Sequence, residues 1–155
     1  MPMPMIRRSK TIENAPQIRQ EELKDLINRL EKEELNLLIL KDGEIIYSSK
    51  EDGMAPLLEA IDQGLEKLID STVVDKIVGK AAALLIAYFK AEGVYTKLLS
   101  RSAIEVLKKY GISYAAERVV DYIRDKEDKD ICPFEKMVLK IEDPQEGYKK
   151  LKSGL

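Results

Sequence analysis

Hydrophobic residues recur along the first half of the chain with two different patterns, one typical of helices and one typical of strands. From Gln17 to about Glu33 they return at helical spacing against a charged face, which predicts an amphipathic helix. The segment "APLLEAIDQGLEKLI" predicts a second helix, in whose first turn Pro56 is tolerated. Between them, "LNLLILKDGEIIYSS" places two β-prone runs around Asp42 and Gly43, a pair typical of a tight hairpin turn.

The stretch "DKIVGKAAALLIAYFK", residues 75–90, predicts the central helix of the fold, because its residues from Ile77 to Phe89 are apolar nearly all the way round. Ser71 or Thr72 is a candidate cap for this helix. Gly79 costs a helix interior up to about 1 kcal/mol relative to alanine. A glycine here therefore indicates close approach by another element or by a ligand.

The second half of the chain continues the alternation of strands and helices. "GVYTKLLS" predicts a buried strand, followed by a helix from about Ala103 to Tyr110 that a capping box from Ser102 to Glu105 opens and Gly111 ends. "ISYAAERVV" predicts a strand running into a short helix, and "RDKEDKD" a solvated loop. "CPFEKMVLKI", with Pro133 at a first helical position, and "PQEGYKKLK" predict the last two helices.

Helices that alternate with strands indicate a three-layer α/β/α domain, since each crossover helix covers a sheet face. Residues 1–16 show no apolar period and are rich in proline, so we expect a flexible N-terminal arm. Residues 17–155 are long enough for a single domain with one core.

The charge balance of 26 basic against 28 acidic residues favours neither nucleic acid nor an anionic membrane as a partner. The longest apolar run is too short to span a bilayer and contains Lys80. A single cysteine, Cys132, excludes an internal disulfide and, with no apolar leader segment, points to the cytoplasm. The chain has no histidine, the usual metal ligand and proton shuttle near neutral pH.

The order of a hairpin, a central helix of small residues, a strand, a helix and a strand resembles the cytidine-deaminase-like fold. More closely, the "KDGE" hairpin, "DKIVGKAAALL" and "CPFEKMV" resemble a family of uncharacterised prokaryotic domains usually grouped with that fold, over residues 22–140. The resemblance implies a mixed sheet with the hairpin first, crossover helices, and a pocket at the N-terminal ends of two helices.

Catalytic members of the deaminase fold carry a His or Cys and, two residues on, a Glu in the central helix, with a PCxxC at the start of the next crossover helix. Here residues 75–82 supply no His, Cys or Glu, and residues 99–103 supply no Cys. We therefore expect no metal, no cofactor and no cytidine deamination. A pocket that has lost its metal could still bind a ligand.

Lys80 and Gly79 head the candidate ligand-binding residues. An ammonium in apolar surroundings is either paired with a carboxylate, extended to solvent, or available to an anionic ligand. A phosphate loop is excluded, because its remaining glycine and hydroxyl positions are Val74 and Ala81.

Asp75 is expected near the start of the central helix, where a carboxylate is stabilised by the helix dipole with or without a ligand. Ser100, Arg101 and Ser102 stand where the family's PCxxC would be, and helix amides beside an arginine suit a phosphate. Capping alone also explains Ser102. Cys132 precedes a predicted helix start, where its thiol is either activated by the dipole or an inert buried group.

Three functions remain open from the sequence. The first is a metal-free domain that binds a nucleotide or nucleotide-sugar phosphate. The second is a homo-oligomeric scaffold that associates through the apolar central helix. The third is an enzyme of another class that uses Cys132 or Lys80 as a covalent nucleophile.

Overall fold

The computed structural model describes residues 16–154. The proposed arm over residues 1–16 lies outside this range except for Pro16, which begins the first helix. The elements in chain order are α1 (Pro16–Lys32), β1 (Leu37–Lys41), β2 (Glu44–Ser49), α2 (Ala55–Leu68), β3 (Thr72–Val78), α3 (Lys80–Tyr88), β4 (Gly93–Ser100), α4 (Arg101–Lys109), β5 (Ser113–Val120), α5 (Pro133–Met137) and α6 (Pro144–Ser153).

The described strands form one mixed sheet in the order β2-β1-β3-β4-β5. β1 pairs antiparallel with β2 and with β3, whereas β3, β4 and β5 run parallel. The connections through α3 and α4 both step the sheet in the same direction, and right-handed crossovers of that kind place their helices on one face. The fold is therefore an α/β fold with a hairpin at one edge.

Each face of the sheet has its own apolar cluster. One face is covered by α1, whose Leu23, Ile27 and Leu30 pack against the strands. The other face carries the larger cluster, to which α2, α3, α4 and α6 all contribute. No helix among residues 16–154 is long and apolar enough to cross a membrane.

The hairpin prediction is confirmed. Asp42 and Gly43 link β1 to β2 with φ values of 51° and 81°, the positive values that a tight primed turn requires. The helix predicted from Gln17 is also confirmed, as are the two last helices from Pro133 and Pro144.

The central helix is shorter than predicted, and its first part was wrongly assigned. Residues Thr72–Val78 form β3, a strand between β1 and β4, and the helix begins only at Lys80. β3 carries Asp75 and Lys76 in its middle and runs into α3 with only Gly79 between them, so it has neither the alternation of a half-buried strand nor the unbroken apolar run of a fully buried one. Gly79, not Ser71 or Thr72, is therefore the residue that precedes the first helical turn.

Two further boundaries differ from the sequence predictions. The helix after β4 begins at Arg101, because the hydroxyl of Ser100 accepts the Ala103 amide at 3.1 Å, so Ser100 and not Ser102 is its cap. The segment "ISYAAERVV" contains β5 and no helix.

The apolar surround of α3 is covered within the chain itself. All residues from Lys80 to Ala87 are buried, and α4 and α6 pack against this helix. Its pattern therefore no longer argues for a subunit contact, and the oligomeric state stays a prediction.

Candidate functional site

Two helices begin side by side where two neighbouring parallel strands end. Val78 of β3 pairs with Leu99 of β4, so Gly79 and Ser100, the caps of α3 and α4, follow at adjacent positions. We call this region the carboxyl edge: Gly79–Ala81, Ser100–Ser102 and Asp121. The carboxyl ends of parallel strands are the usual ligand-binding side of α/β sheets, and helix N-termini attract anions.

The start of α3 is closed by a carboxylate of the same chain. The backbone amides of Lys80 and Ala81 donate to the two oxygens of Glu135, at 2.7 and 2.8 Å. Glu135 belongs to the short helix α5 and is only 7% exposed. The first two amides of α3 are thus engaged by a fixed anion from within the protein.

Gly79 is required by this contact. A Cβ built at position 79 would lie 2.6 Å from the Cδ atom of Glu135 and 2.6 Å from its Oε1 atom. Such separations are far below van der Waals contact, so any side chain here would push the carboxylate off the helix. The close approach that the sequence predicted at Gly79 is made by another element of the fold.

Lys80 is paired within the protein. Its ammonium donates to the Leu139 carbonyl at 3.1 Å and to Glu142 Oε2 at 3.0 Å. The residue is 8% exposed, whereas Glu142 is largely exposed. Of the three alternatives for Lys80, this geometry corresponds to pairing with a carboxylate. The contacts also connect the chain after α5 to the first turn of α3.

Opposing influences act on the pKa of Glu135. Burial raises it above the usual value, while the amides of Ala81 and Lys80 and the nearby Lys80 charge oppose the rise. The net direction is upward. The carboxyl is held rigidly but is costly to ionise.

The start of α4 is more open. Ser100 is buried, and its hydroxyl also lies 3.1 Å from that of Ser102, which is half-buried. The Nε atom of Arg101 donates to Asp121 Oδ1 at 2.9 Å, and both side chains are mostly exposed. Asp121 directly follows β5, so the end of a third parallel strand joins the carboxyl edge.

Asp75 does not lie at the start of the central helix, as expected from the sequence, but inside β3, in register with Leu37 and Thr96. Protein atoms surround its carboxyl closely although some solvent contact remains. Burial raises its pKa to about 8, with the backbone amides of Ile77 and Lys76 acting in the opposite direction. Asp75 is a half-buried acid of the sheet, and its ligand role stays a prediction.

Cys132 precedes α5 and is half-buried. Its backbone amide donates to the Ile123 carbonyl at 2.9 Å, and its side chain makes no capping hydrogen bond. α5 spans five residues, so its dipole is short. The reactivity of Cys132 stays a prediction.

Glu135 is the site residue that the sequence analysis missed as such. The "CPFE" segment was noted, yet its glutamate was not among the candidate residues. The interaction joins positions 54 and 55 residues apart, so no local pattern predicts it. The one local signal was Gly79, because a glycine at this point indicates that another part of the chain packs closely against the backbone.

Outside this edge, the described residues form an open depression of about 560 Å³ at the other end of the parallel strands, with Tyr88, Tyr110 and Asp143 in its wall. None of the predicted site residues lines it. No group of three or more His, Cys, Asp or Glu side chains within residues 16–154 could hold a metal ion.

Comparison with known proteins gives the family. A model described as "TM1506: Domain of unknown function (DUF1893)" matches residues 25–155. The chain belongs to the DUF1893 family. The crystal structure of a DUF1893 family protein (TM1506) from Thermotoga maritima is similar to it, with 33% sequence identity and a TM-score of 0.78. The match covers 86% of this chain and 89% of the other.

Among curated proteins, no relative matches this DUF1893 chain. The family description carries no activity, so any function has to be argued from the carboxyl edge itself.

Proposed function

We propose that this DUF1893 protein is a metal-free domain of cytidine-deaminase-like fold that binds a nucleotide or nucleotide-sugar phosphate at its carboxyl edge and does not deaminate cytidine. The hairpin-first strand order and the crossover helices α3 and α4 support the fold assignment. The 33% identity to another DUF1893 protein supports a shared architecture across the family.

The observation that carries the proposal is the exposed guanidinium of Arg101, the first residue of α4, which the half-buried Ser102 follows. An arginine, a hydroxyl and the first amides of a helix are the groups that recognise a phosphate. The present partner of Arg101 is the exposed Asp121, and an exposed ion pair is worth about 0–1 kcal/mol. A phosphate can therefore replace Asp121 at little cost.

The contacts of Lys80 support Arg101 as the cation of the proposed phosphate site. Lys80 is already bonded to Leu139 and Glu142, and the amides at the start of α3 are already bonded to Glu135. The phosphate site consequently belongs to α4 rather than α3. Arg101 takes the role that the sequence analysis gave to Lys80.

Isothermal titration with inorganic phosphate, pyrophosphate and a panel of nucleotides at low salt tests the proposal. We expect binding that Arg101→Gln weakens about tenfold or more, since hydrogen bonds to charged groups contribute about 1.5–3 kcal/mol. Lys108→Gln is the matched control, because it removes the same charge from the other end of α4.

The proposal fails if none of these compounds binds, or if Arg101→Gln binds all of them as tightly as the wild type does. It also fails if Lys108→Gln weakens binding to the same extent, because a diffuse charge effect would then explain the result. Asp121→Asn adds a variant with the opposite expected sign: freeing Arg101 should tighten phosphate binding.

The other two functions raised by the sequence have less support in the described residues. The apolar side chains of α3 are buried within the chain itself and do not form an exposed surface for a second subunit. The proposed nucleophile Lys80 is held in an ion pair with Glu142.

A further inference from the structure

We infer that Tyr122 stacks on the base of the bound nucleotide, which makes it the residue that separates nucleotides from simple phosphates. The inference rests on the proposed phosphate site at Arg101 and deepens it.

Tyr122 is an exposed aromatic residue whose ring is held in place. It is 46% exposed, and the Arg124 guanidinium lies 5.2 Å from the ring centroid. Arg124 also donates to the Tyr122 hydroxyl at 3.3 Å, and it pairs with Asp128 and bridges to Ile131. A ring fixed on one side by a cation and still open to solvent is a ready surface for a second aromatic group.

The position of this ring fits the phosphate site. Ser100 of β4 pairs with Val120 of β5, so the residues that follow the two strands start from neighbouring points. Asp121 contacts Arg101 at 2.9 Å, and the Cα atoms of Asp121 and Tyr122 are about 3.8 Å apart. Tyr122 therefore directly follows the residue whose place on Arg101 the phosphate would take.

A nucleotide supplies a phosphate and a planar base on one molecule, whereas a sugar phosphate supplies only the first. Stacking between a base and an aromatic side chain contributes about 1–3 kcal/mol and tolerates different bases. A site with Arg101 and Tyr122 should therefore prefer nucleotides of any base over the matching sugar phosphate.

The test compares AMP with ribose 5-phosphate by isothermal titration. We expect the wild type to bind AMP about tenfold more tightly or better. Tyr122→Ser should lower AMP affinity to the level of ribose 5-phosphate and leave ribose 5-phosphate unchanged, while Tyr122→Phe should retain the preference. Tyr110→Ser is the matched control: Tyr110 is 40% exposed with Lys109 over its ring, but lies at the other end of the strands.

The outcomes separate this inference from the proposed function. If both compounds bind with equal affinity, or if Tyr122→Ser weakens both alike or neither, the phosphate site stands and the role of Tyr122 is overturned. An equal loss of AMP affinity in Tyr110→Ser would also overturn it. If neither compound binds and no phosphate compound does, the proposed function itself has failed and the inference falls with it.

Discussion

The carboxylate of Glu135 occupies the space that any side chain at position 79 would fill. It lies against the Gly79 backbone and accepts the amides of Lys80 and Ala81 at the start of α3. The most buried helix of the fold is therefore anchored by a residue from a different element, contributed more than fifty positions later in the chain.

We expect Gly79→Ala to destabilise the protein by about 2–3 kcal/mol, because the added methyl group displaces a buried, hydrogen-bonded carboxylate. Urea unfolding should show a lower midpoint at unchanged slope. In a Glu135→Ala background the same substitution should cost much less, and this coupling identifies the clash as the cause.

Gly93→Ala is the control for Gly79→Ala, since a Cβ at position 93 meets only ordinary contacts at 3.6 and 3.7 Å. Additive costs of Gly79→Ala and Glu135→Ala would contradict the proposed clash.

Glu135→Ala should cost about 1–3 kcal/mol, since it leaves two amides at the start of α3 without their acceptor. Formate or acetate is small enough to enter the vacated space and should recover part of the loss in a saturable manner, measured as a rise in melting temperature. Glu105→Ala, which removes an exposed carboxylate from α4, should gain nothing beyond the effect on wild type. Equal effects of formate on both variants would indicate a general salt effect instead.

Lys80→Met should leave phosphate binding within about threefold of the wild type, because the ammonium is directed to Leu139 and Glu142. The free energy of unfolding should change by no more than about 1 kcal/mol, since Glu142 is 69% exposed and remains solvated without its partner. Isothermal titration and urea unfolding measure the two quantities. A loss of phosphate affinity as large as that of Arg101→Gln would contradict this prediction and show that Lys80 contributes to phosphate binding.

Local chemistry was sufficient to predict the hairpin and most of the helices. Asp42 and Gly43 specify their turn through conformations that few other residue pairs adopt. β3 was missed because only Gly79 separates it from α3 and because Asp75 and Lys76 interrupt its apolar pattern. Gly79 was nevertheless the signal of that boundary, since a glycine is costly inside a helix.

Only the location of the candidate site, at the N-terminal ends of two neighbouring helices, could be predicted from the sequence. The family resemblance implied a pocket at the N-terminal ends of two helices, and the parallel strands β3 and β4 bring Gly79 and Ser100 together there. The partners of Lys80 and the contact of Glu135 depend on how the chain after β5 returns to α3. The spacing of hydrophobic residues does not predict that path. Asp121 and Tyr122 were not among the candidates for the same reason.

The half-buried acid Asp75 should make stability depend on pH in a direction opposite to that of most carboxylates. Its pKa is raised from 3.8 to about 8, so between these values the folded state keeps a proton that the unfolded state has lost. The stability associated with this proton is fully present below the lower value and is lost as the pH rises through the upper one. Asp75→Asn mimics the protonated form at every pH.

Urea unfolding of Asp75→Asn and wild type at about pH 4 and about pH 9 checks this expectation. The two proteins should be similar in acid, and the variant should be the more stable of the two in base, because ionisation of Asp75 is disfavoured in the folded state. Asp130→Asn provides a control of opposite sign: a hydrogen bond from Lys136 lowers the Asp130 pKa, so that variant should lose stability near neutral pH and approach wild type in acid. If Asp75→Asn is less stable than wild type in base, the folded protein favours the ionised carboxylate of Asp75, and the raised pKa is contradicted.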